Sequence, residues 1–406
     1  MINSEVERIV WVDPNLKTNF GHPIESACSI KNFVTDTGKV DMEIVANQDA
    51  DSSVQRLLGE VHALITNTCF QNLDDKGSTF HEDMEKIHDK LKLGINDLVV
   101  IPTAYSNEIL GVKTFLGKHK NKQPKFAFQI HQFFPPALTF KQTLEDSYFL
   151  TNKKLLAESF IETADSKNVV SIWTTRNRKL NQLLNSFSPL NIGMLPLPIE
   201  FHKELKIGGK PESAGLTVSF LGDGRYEKGL LLFLEAVKDM PSNGERIVIQ
   251  DYNGRGYDNQ ESVQFKRVRQ ELEFDNRVEF IESAIDPLNF QKIIAASDVV
   301  VMPYHPQSYD KRVSEIYIIA RMYNQICIVS SGTWMADESR RFNAGHIFDY
   351  KLNEPEQTIG NLRKELEAII RGRLETKSDN ESGNQPINYR RVNSPRNMLR
   401  QIITHY

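Results

Sequence analysis

Long apolar runs are missing from this 406-residue sequence: none approaches the ~20 residues that a helix needs to cross a bilayer, so no membrane-spanning helix is expected. The opening stretch, MINSEVERIVWVDPN, is acidic and lacks the basic-then-apolar layout of a secretory signal, which points to a cytoplasmic protein. Cysteine is scarce. Cys28, Cys69 and Cys327 stand far apart, odd in number and without ligand spacing, so neither a disulfide framework nor a zinc site is expected. Each reads as a small buried apolar residue in a reducing compartment. An excess of one charge is also absent: 49 Lys and Arg against 53 Asp and Glu leave a net −4, and nothing global marks nucleic acid as a partner. There is no short-period repeat, no G-x-S-x-G, no H-E-x-x-H, no Walker A and no paired C-x-x-C.

What remains is ordinary globular material, 40% hydrophobic and 25% charged. The chain is long for one core, and two domains of about 200 residues are the natural division. Short apolar, β-rich runs alternate with helical patterns, the signature of βαβ units and parallel sheets. The runs at 8–12, 42–45, 63–66, 98–101, 126–130 and 169–173 predict strands in the first half. Those at 217–221, 247–249, 278–281, 298–302 and 326–330 predict strands in the second. They show little alternation, as expected when both faces of a sheet are covered. Between the series lie Leu195-Pro-Leu-Pro198 and the polar, glycine-rich stretch 206–215, which put a boundary near residue 200. A low-complexity piece, 376–385, precedes a tail in which Arg390, Arg391, Arg396 and Arg400 interleave with Met398, Leu399, Ile402 and Ile403. The expected division is therefore 1–200, 201–385 and a basic segment 386–406, which either packs back on the first domain or touches a membrane interface.

The sharpest segment is Phe220-Leu-Gly-Asp-Gly-Arg-Tyr-Glu-Lys-Gly229, after one predicted strand and before a predicted helix at 230–239. Gly222 and Gly224 permit a tight turn and close approach of a ligand to the backbone. Arg225 and Lys228 stand near a helix N-terminus, where charge and backbone N–H groups favour a diphosphate. Both are expected outside the core. A plain strand-to-helix turn with two solvated cations is the other reading. Asp286-Pro287 reads as an N-cap followed by proline at the first helical position.

This stretch resembles the G-R-x-x-x-K-G element that opens the nucleotide-binding domain of GT-B glycosyltransferases, especially those of family 4. The resemblance runs on through the helix, aspartate and apolar strand at 286–302 to Pro303-Tyr304, and through 309–334, similar to the family's S-G-x-x-x-E-A-x-x-x-G-x-P-V-V element. Ser314 and Ala320 match there. It implies an α/β protein of the GT-B fold, two Rossmann-like domains facing each other across a cleft, with Tyr304 and His305 directed into it. The implied donor site is Gly222, Gly224, Arg225, Lys228, Tyr304, Arg312, Ser314 and Glu315. The sequence also departs from the family. The helix glutamate that binds ribose falls on Ile319, its upstream partner on Lys311, and family glycines on Glu315 and Asn324. Glu315 precedes Ile319 by one helical turn. It is open to two readings, a substitute ribose ligand or a first-turn acid favoured by the helix dipole.

In the first half, Gly21 and His22, within Asn19-Phe-Gly-His-Pro23, occupy the position of the family's loop near donor and acceptor, and 102–108 ends a strand that lines the acceptor side. His131 ends a strand as the family's donor-contacting histidine does; a hydrogen-bonded structural histidine is the bland alternative for each ring. Asp49-Ala-Asp51 mimics a metal-binding acidic motif and is read as chance. The resemblance implies sugar transfer from a nucleoside-diphosphate donor to a glycan, lipid-linked or protein acceptor, with retention and without metal or cofactor. His131, Arg225 and Lys228 are its catalytic candidates, the cations supporting the departing diphosphate. The implied place is the cytoplasm, with peripheral contact at the inner face of the membrane allowed and oligomeric state open. A catalytically silent GT-B-like subunit is the rival, favoured by the missing helix glutamates; an epimerase of the same fold lacks an acid/base set.

Overall fold

The computed structural model describes residues 6–120, 123–133, 146–206, 215–252, 259–372 and 385–404. Most of the polar stretch 206–215 and of the low-complexity piece 376–385 lies outside the described residues. The chain forms two compact units, Met1–Glu200 with Val392–Tyr406, and Phe201–Arg391.

Unit 1 is built on a seven-stranded sheet of order β3-β2-β1-β4-β5-β6-β7. Its strands are β1 (Arg8–Asp13), β2 (Asp41–Asn47), β3 (His62–Ile65), β4 (Asp97–Ile101), β5 (Lys125–Ile130), β6 (Val169–Thr175) and β7 (Gly193–Leu195). Every pairing is parallel. Parallel strands need covered faces, and here each face has its own core. Val10, Val12, Val99, Ile101, Phe126 and Phe128 point to one side, while Ile9, Trp11, Leu98, Val100 and Ala127 point to the other. On that second side lies α1 (His22–Thr37), burying Ile24, Ala27, Ile30 and Val34, and ended by Gly38, whose N–H bonds to the Val34 carbonyl at 3.0 Å. The helix Pro395–Thr404 belongs to the same face. Its Met398, Leu399, Ile402 and Ile403 are the apolar half of the basic tail, and all four are buried in that core. Burying side chains of this size contributes about 1.5–3 kcal/mol each.

Unit 2 carries a six-stranded parallel sheet, order β10-β9-β8-β11-β12-β13. These strands are β8 (Thr217–Phe220), β9 (Arg246–Gln250), β10 (Val278–Ile281), β11 (Val299–Met302), β12 (Ile326–Ser330) and β13 (His346–Phe348). The helix Leu230–Lys238 buries Leu230, Phe233, Leu234, Ala236 and Val237 against it. Asp286 caps the helix Pro287–Ala296, its carboxylate accepting the Asn289 N–H at 3.1 Å, with Pro287 at the first position. In both sheets the strand order reverses direction around the first strand, next to β4 in unit 1 and next to β11 in unit 2. Open α/β sheets bind ligands at the carboxyl ends of strands at such points.

Candidate functional site

The loop 221–229 leaves β8 at its carboxyl end and is pinned to the neighbouring strand. The Gly222 N–H donates to Gln250 Oε1 at 2.7 Å, and the Gly224 N–H to the Tyr252 carbonyl at 2.8 Å. Gly222 has φ +109°, and a Cβ there would lie 2.6 Å from Lys228 Nζ and 3.0 Å from Ile316 Cδ1. Only glycine lets the Lys228 ammonium settle over the loop. A 3-10 turn, Tyr226–Lys228, follows and ends at Gly229 with φ +70°, where a Cβ would lie 2.2 Å from the Pro303 carbonyl oxygen. Two residues separate Arg225 from Lys228, one fewer than in the element it resembles.

The cations of this loop are not free. Asp223 ion-pairs with Arg225 Nε at 2.6 Å and with Lys228 Nζ. Glu227 Oε1 accepts from Arg225 Nη1 at 2.9 Å and stands 3.6 Å from Arg312 Nη1. Burial alone would raise the Asp223 carboxyl, but attraction to Lys228 and then Arg225 outweighs it and holds the group at about 2. Desolvation likewise pulls Lys228 down, and Asp223 more than compensates, so the ammonium stays charged. The Lys228 side chain is only 11% exposed, contrary to the expectation of a surface cation, because the glycine at 222 leaves it a bed to lie in. Arg225 is 33% exposed.

Beyond β11 the chain brings in the other candidates. Ser314 caps the helix Glu315–Met322, its Oγ accepting the Tyr317 N–H at 3.3 Å. Tyr304 and His305 are both buried, the first 4.4 Å ring to ring from Tyr309, the second donating its backbone N–H to the Glu227 carbonyl at 2.8 Å. Burial pushes His305 down to about 4, so its ring is neutral. Burial pushes Glu315 up to about 7, against the pull of Lys228. Ile319, one turn on, is fully buried in the core of unit 2. Three cations, Arg225, Lys228 and Arg312, thus sit with Asp223, Glu227 and Glu315 where the sheet reverses its order.

In unit 1 the structure brings His22 and His131 together, ring centroids 4.6 Å apart and 25° from coplanar. Gly21 precedes the helix that His22 begins. Burial, and then the proximity of His22, hold His131 well below the usual imidazole range, while a hydrogen bond to the Pro102 carbonyl fixes its tautomer. Segment 102–108 is enclosed: the Tyr105 hydroxyl lies 2.7 Å from the Phe133 carbonyl, and Glu108 Oε2 accepts the Tyr105 N–H at 2.8 Å. Asp51 caps the helix Ser52–Leu58, and Asp49 ion-pairs with Lys17 at 2.8 Å, so each acid of the Asp-Ala-Asp tripeptide has a structural partner. Among the described residues no group of three or more His, Cys, Asp or Glu is placed to hold a metal ion. Nor does any described helix have the length and apolarity to cross a membrane.

Sequence reasoning passed over Asp13, Asp223 and Glu227. Asp13 closes β1 fully buried, Oδ1 accepting from Thr103 Oγ1 at 2.5 Å and the Asn15 N–H at 2.9 Å. Burial raises it to about 6. The signal was a lone acid at the end of an apolar run, Ile9-Val-Trp-Val-Asp13.

Two parallel sheets with interleaved helices, each open and reversing at its first strand, make this a GT-B fold. Solved structures of similar shape agree. The chain superposes on Anabaena HepE in complex with UDP-glucose with a TM-score of 0.63 and 11% identity, covering 98% of both chains. For sucrose-phosphate synthase from Thermosynechococcus elongatus the TM-score is 0.66 at 12% identity, over 98% of this chain and 97% of the other. For the lipopolysaccharide outer core galactosyltransferase WaaB it is 0.61 at 12%, over 98% of each. No family model matches the sequence, and no curated protein matches it. Likeness at such low identity carries the fold and nothing finer.

Proposed function

We propose that this chain is a glycosyltransferase that moves a sugar from a nucleoside-diphosphate donor to a glycan, lipid-linked or protein acceptor. The observation that carries the reading is the gathering of Arg225, Lys228 and Arg312 around the Gly222 loop, held by the paired carboxylates of Asp223 and Glu227, at the sheet's reversal point. The N-terminus of helix Glu315–Met322 adds its partial positive charge to the same place. Charge that develops on a departing diphosphate is stabilised by groups already fixed in position, and the ion pairs to Asp223 and Glu227 fix these. Basic residues then take the part of a cation, so transfer proceeds without metal. Family 4 membership and retention of anomeric configuration follow from the resemblance of 220–229 and 286–334. The HepE structure holding UDP-glucose supports a uridine nucleotide as the first donor to try. Action in the cytoplasm or at the inner membrane face belongs to the same proposal.

The test is a thermal-shift screen of the full chain against UDP, GDP, CDP and TDP and their sugars, with and without EDTA. Ligand at 100 times its dissociation constant adds ~2.7 kcal/mol. Arg225→Ala and Lys228→Ala should each weaken donor binding and turnover about 10- to 150-fold, the worth of one charge-assisted contact. Product anomer analysis reads retention. If no nucleotide binds and neither substitution matters, transfer is refuted. The catalytically silent subunit would then stand, and the burial of Ile319 where the family keeps its ribose-binding glutamate favours it.

A further inference from the structure

The seam between the helices Ser78–Leu91 and Ser106–Lys118 of unit 1 changes character along its length. At one end it is backbone against backbone: a Cβ on Gly77 would lie 2.4 Å from the Gly111 nitrogen. Further along, the first helix presents His81, Glu85 and His88, spaced i, i+4 and i+7 on one face, to Phe115, Lys118 and His119. Lys118 Nζ lies 2.5 Å from His81 Nε2, and an ammonium can only donate, so Nε2 accepts and the His81 proton sits on Nδ1. That ring is therefore neutral. Glu85 Oε2 accepts from His119 Nε2 at 2.8 Å. The other oxygen, Oε1, has no hydrogen-bond partner among the described residues and stands 3.5 Å from His81 Nε2 and 3.9 Å from Lys118 Nζ. His88 lies beside them, 4.7 Å ring to ring from His119, its buried Nδ1 likewise unfilled.

Acid breaks this arrangement. A proton arriving at His81 Nε2 meets the Lys118 ammonium, donor against donor and charge against charge, while Glu85 Oε1 is an unfilled acceptor within reach. Burial and then Lys118 already hold His81 below the usual imidazole range, and the pull of Glu85 and Glu82 does not offset them. Opening the seam relieves both, so the opened form takes up the proton first. The seam is at full strength above about pH 6.5 and weakens as pH falls. Other charges on the packed elements are engaged: Asp83 with Thr66 and Lys86, Asp75 with the N–H groups of Gly77 and Thr79, Lys113 with Glu162 of the helix Asp146–Thr163, and His62 of β3 with Glu43. Glu82, Asp89 and Lys90 lie in solvent.

We propose that this seam is an acid-operated latch: on protonation His81 exchanges Lys118 for Glu85, and the last turn of the helix Ser106–Lys118 comes away from its neighbour while the Gly77–Gly111 contact holds as the pivot. Each further proton taken up by His88 or His119 adds a like charge to the same face, against the single Glu85 carboxylate, and drives the release further. The latch belongs to unit 1 alone and stands whether or not the chain transfers sugar.

Hydrogen–deuterium exchange of the full chain at pH 7.5, 6.5 and 5.5, corrected for the intrinsic pH dependence of exchange, reads it. Opening rises at most about tenfold per pH unit for each proton taken up. Peptides covering 106–119 should therefore lose protection about 10-fold between pH 7.5 and 5.5, while peptides from β1 and from unit 2 keep theirs. His81→Gln supplies Lys118 with an acceptor that does not titrate and should flatten the response. Lys118→Met changes a side chain that is 61% exposed and leaves folding intact. It removes the competing cation and lets protonated His81 pair with Glu85, so the His81 signal in NMR of histidine-labelled protein should titrate at a higher pH than in the wild type. Protection lost evenly over both units would be general acid unfolding and would overturn the proposal. So would unchanged protection in 106–119, or a His81 titration that Lys118→Met does not move. The Lys118→Met result decides the matter even where His81→Gln fails to fold.

Discussion

Glu315→Gln should convert a pH-dependent protein into a less dependent one. The carboxyl is raised from an ordinary value of 4.5 to about 7 by burial, with Lys228 opposing. A raised acid binds its proton more tightly in the folded chain than in the unfolded one. Between pH 4.5 and 7 the unfolded chain therefore loses that proton first, and stability falls with rising pH. Two and a half pH units at 1.36 kcal/mol each give a cost of about 3 kcal/mol, fully present above pH 7 and absent below pH 4.5. Glutamine keeps the size and an acceptor oxygen without the charge. The variant should thus match the wild type at pH 4.5 and exceed it by about 3 kcal/mol at pH 8, a shift of roughly 1 M in urea midpoint. Urea titrations at pH 5, 6, 7 and 8 measure it. Equal pH slopes for the two proteins would show that Glu315 is solvated and would remove it from the buried charge cluster. Nucleotide binding supplies the functional half. A diphosphate beside Glu315 favours its protonated form, so wild-type affinity should fall between pH 6 and 8, and the fall should flatten in the variant. A variant that folds better yet binds nucleotide worse would mark Glu315 as a ribose ligand, since functional groups are commonly kept at a cost in stability.

Gly229→Ala should destabilise unit 2 by several kcal/mol, because φ +70° and a Cβ about 2 Å from the Pro303 carbonyl oxygen leave no unstrained position; thermal unfolding reads this, and a neutral result would refute the close approach of loop and strand. Glu108→Gln should stabilise unit 1 in base. Burial raises this carboxyl to about 8, so its cost builds from pH 4.5 to 8 and reaches roughly 5 kcal/mol. Unfolding scans at pH 5 and pH 9 should show the variant's advantage only at the higher value.

The legible part of this chain is its apolar punctuation. Runs such as Val99–Ile101 and Val299–Met302 are continuous because both faces of a parallel strand are covered, and they announced nearly every strand to within two residues. Gly193–Leu195 and His346–Phe348 escaped because three residues at a sheet edge are too short to show a pattern. The Gly222 loop was visible as glycine and cation, but its electrostatics were not. The expectation that Arg225 and Lys228 lie outside the core passed over the acids interleaved with them in Asp-Gly-Arg-Tyr-Glu-Lys, which pair inward once the chain turns. Asp13 escaped for another reason. A polar residue at a strand end looks like the start of a loop, and only the register reveals that it still belongs to the buried face.

The discontinuity of unit 1 bears on how the protein is made. Its second core includes Met398, Leu399, Ile402 and Ile403, so that face of the sheet stays greasy and open while a ribosome is still translating the whole of Phe201–Arg391. Unit 2 is contiguous and free to finish first; unit 1, begun earlier, is completed later. A nascent chain in this state exposes the hydrophobic surface that chaperones recognise. A premature stop before residue 395 would accordingly release a protein whose second half is sound and whose first half is not.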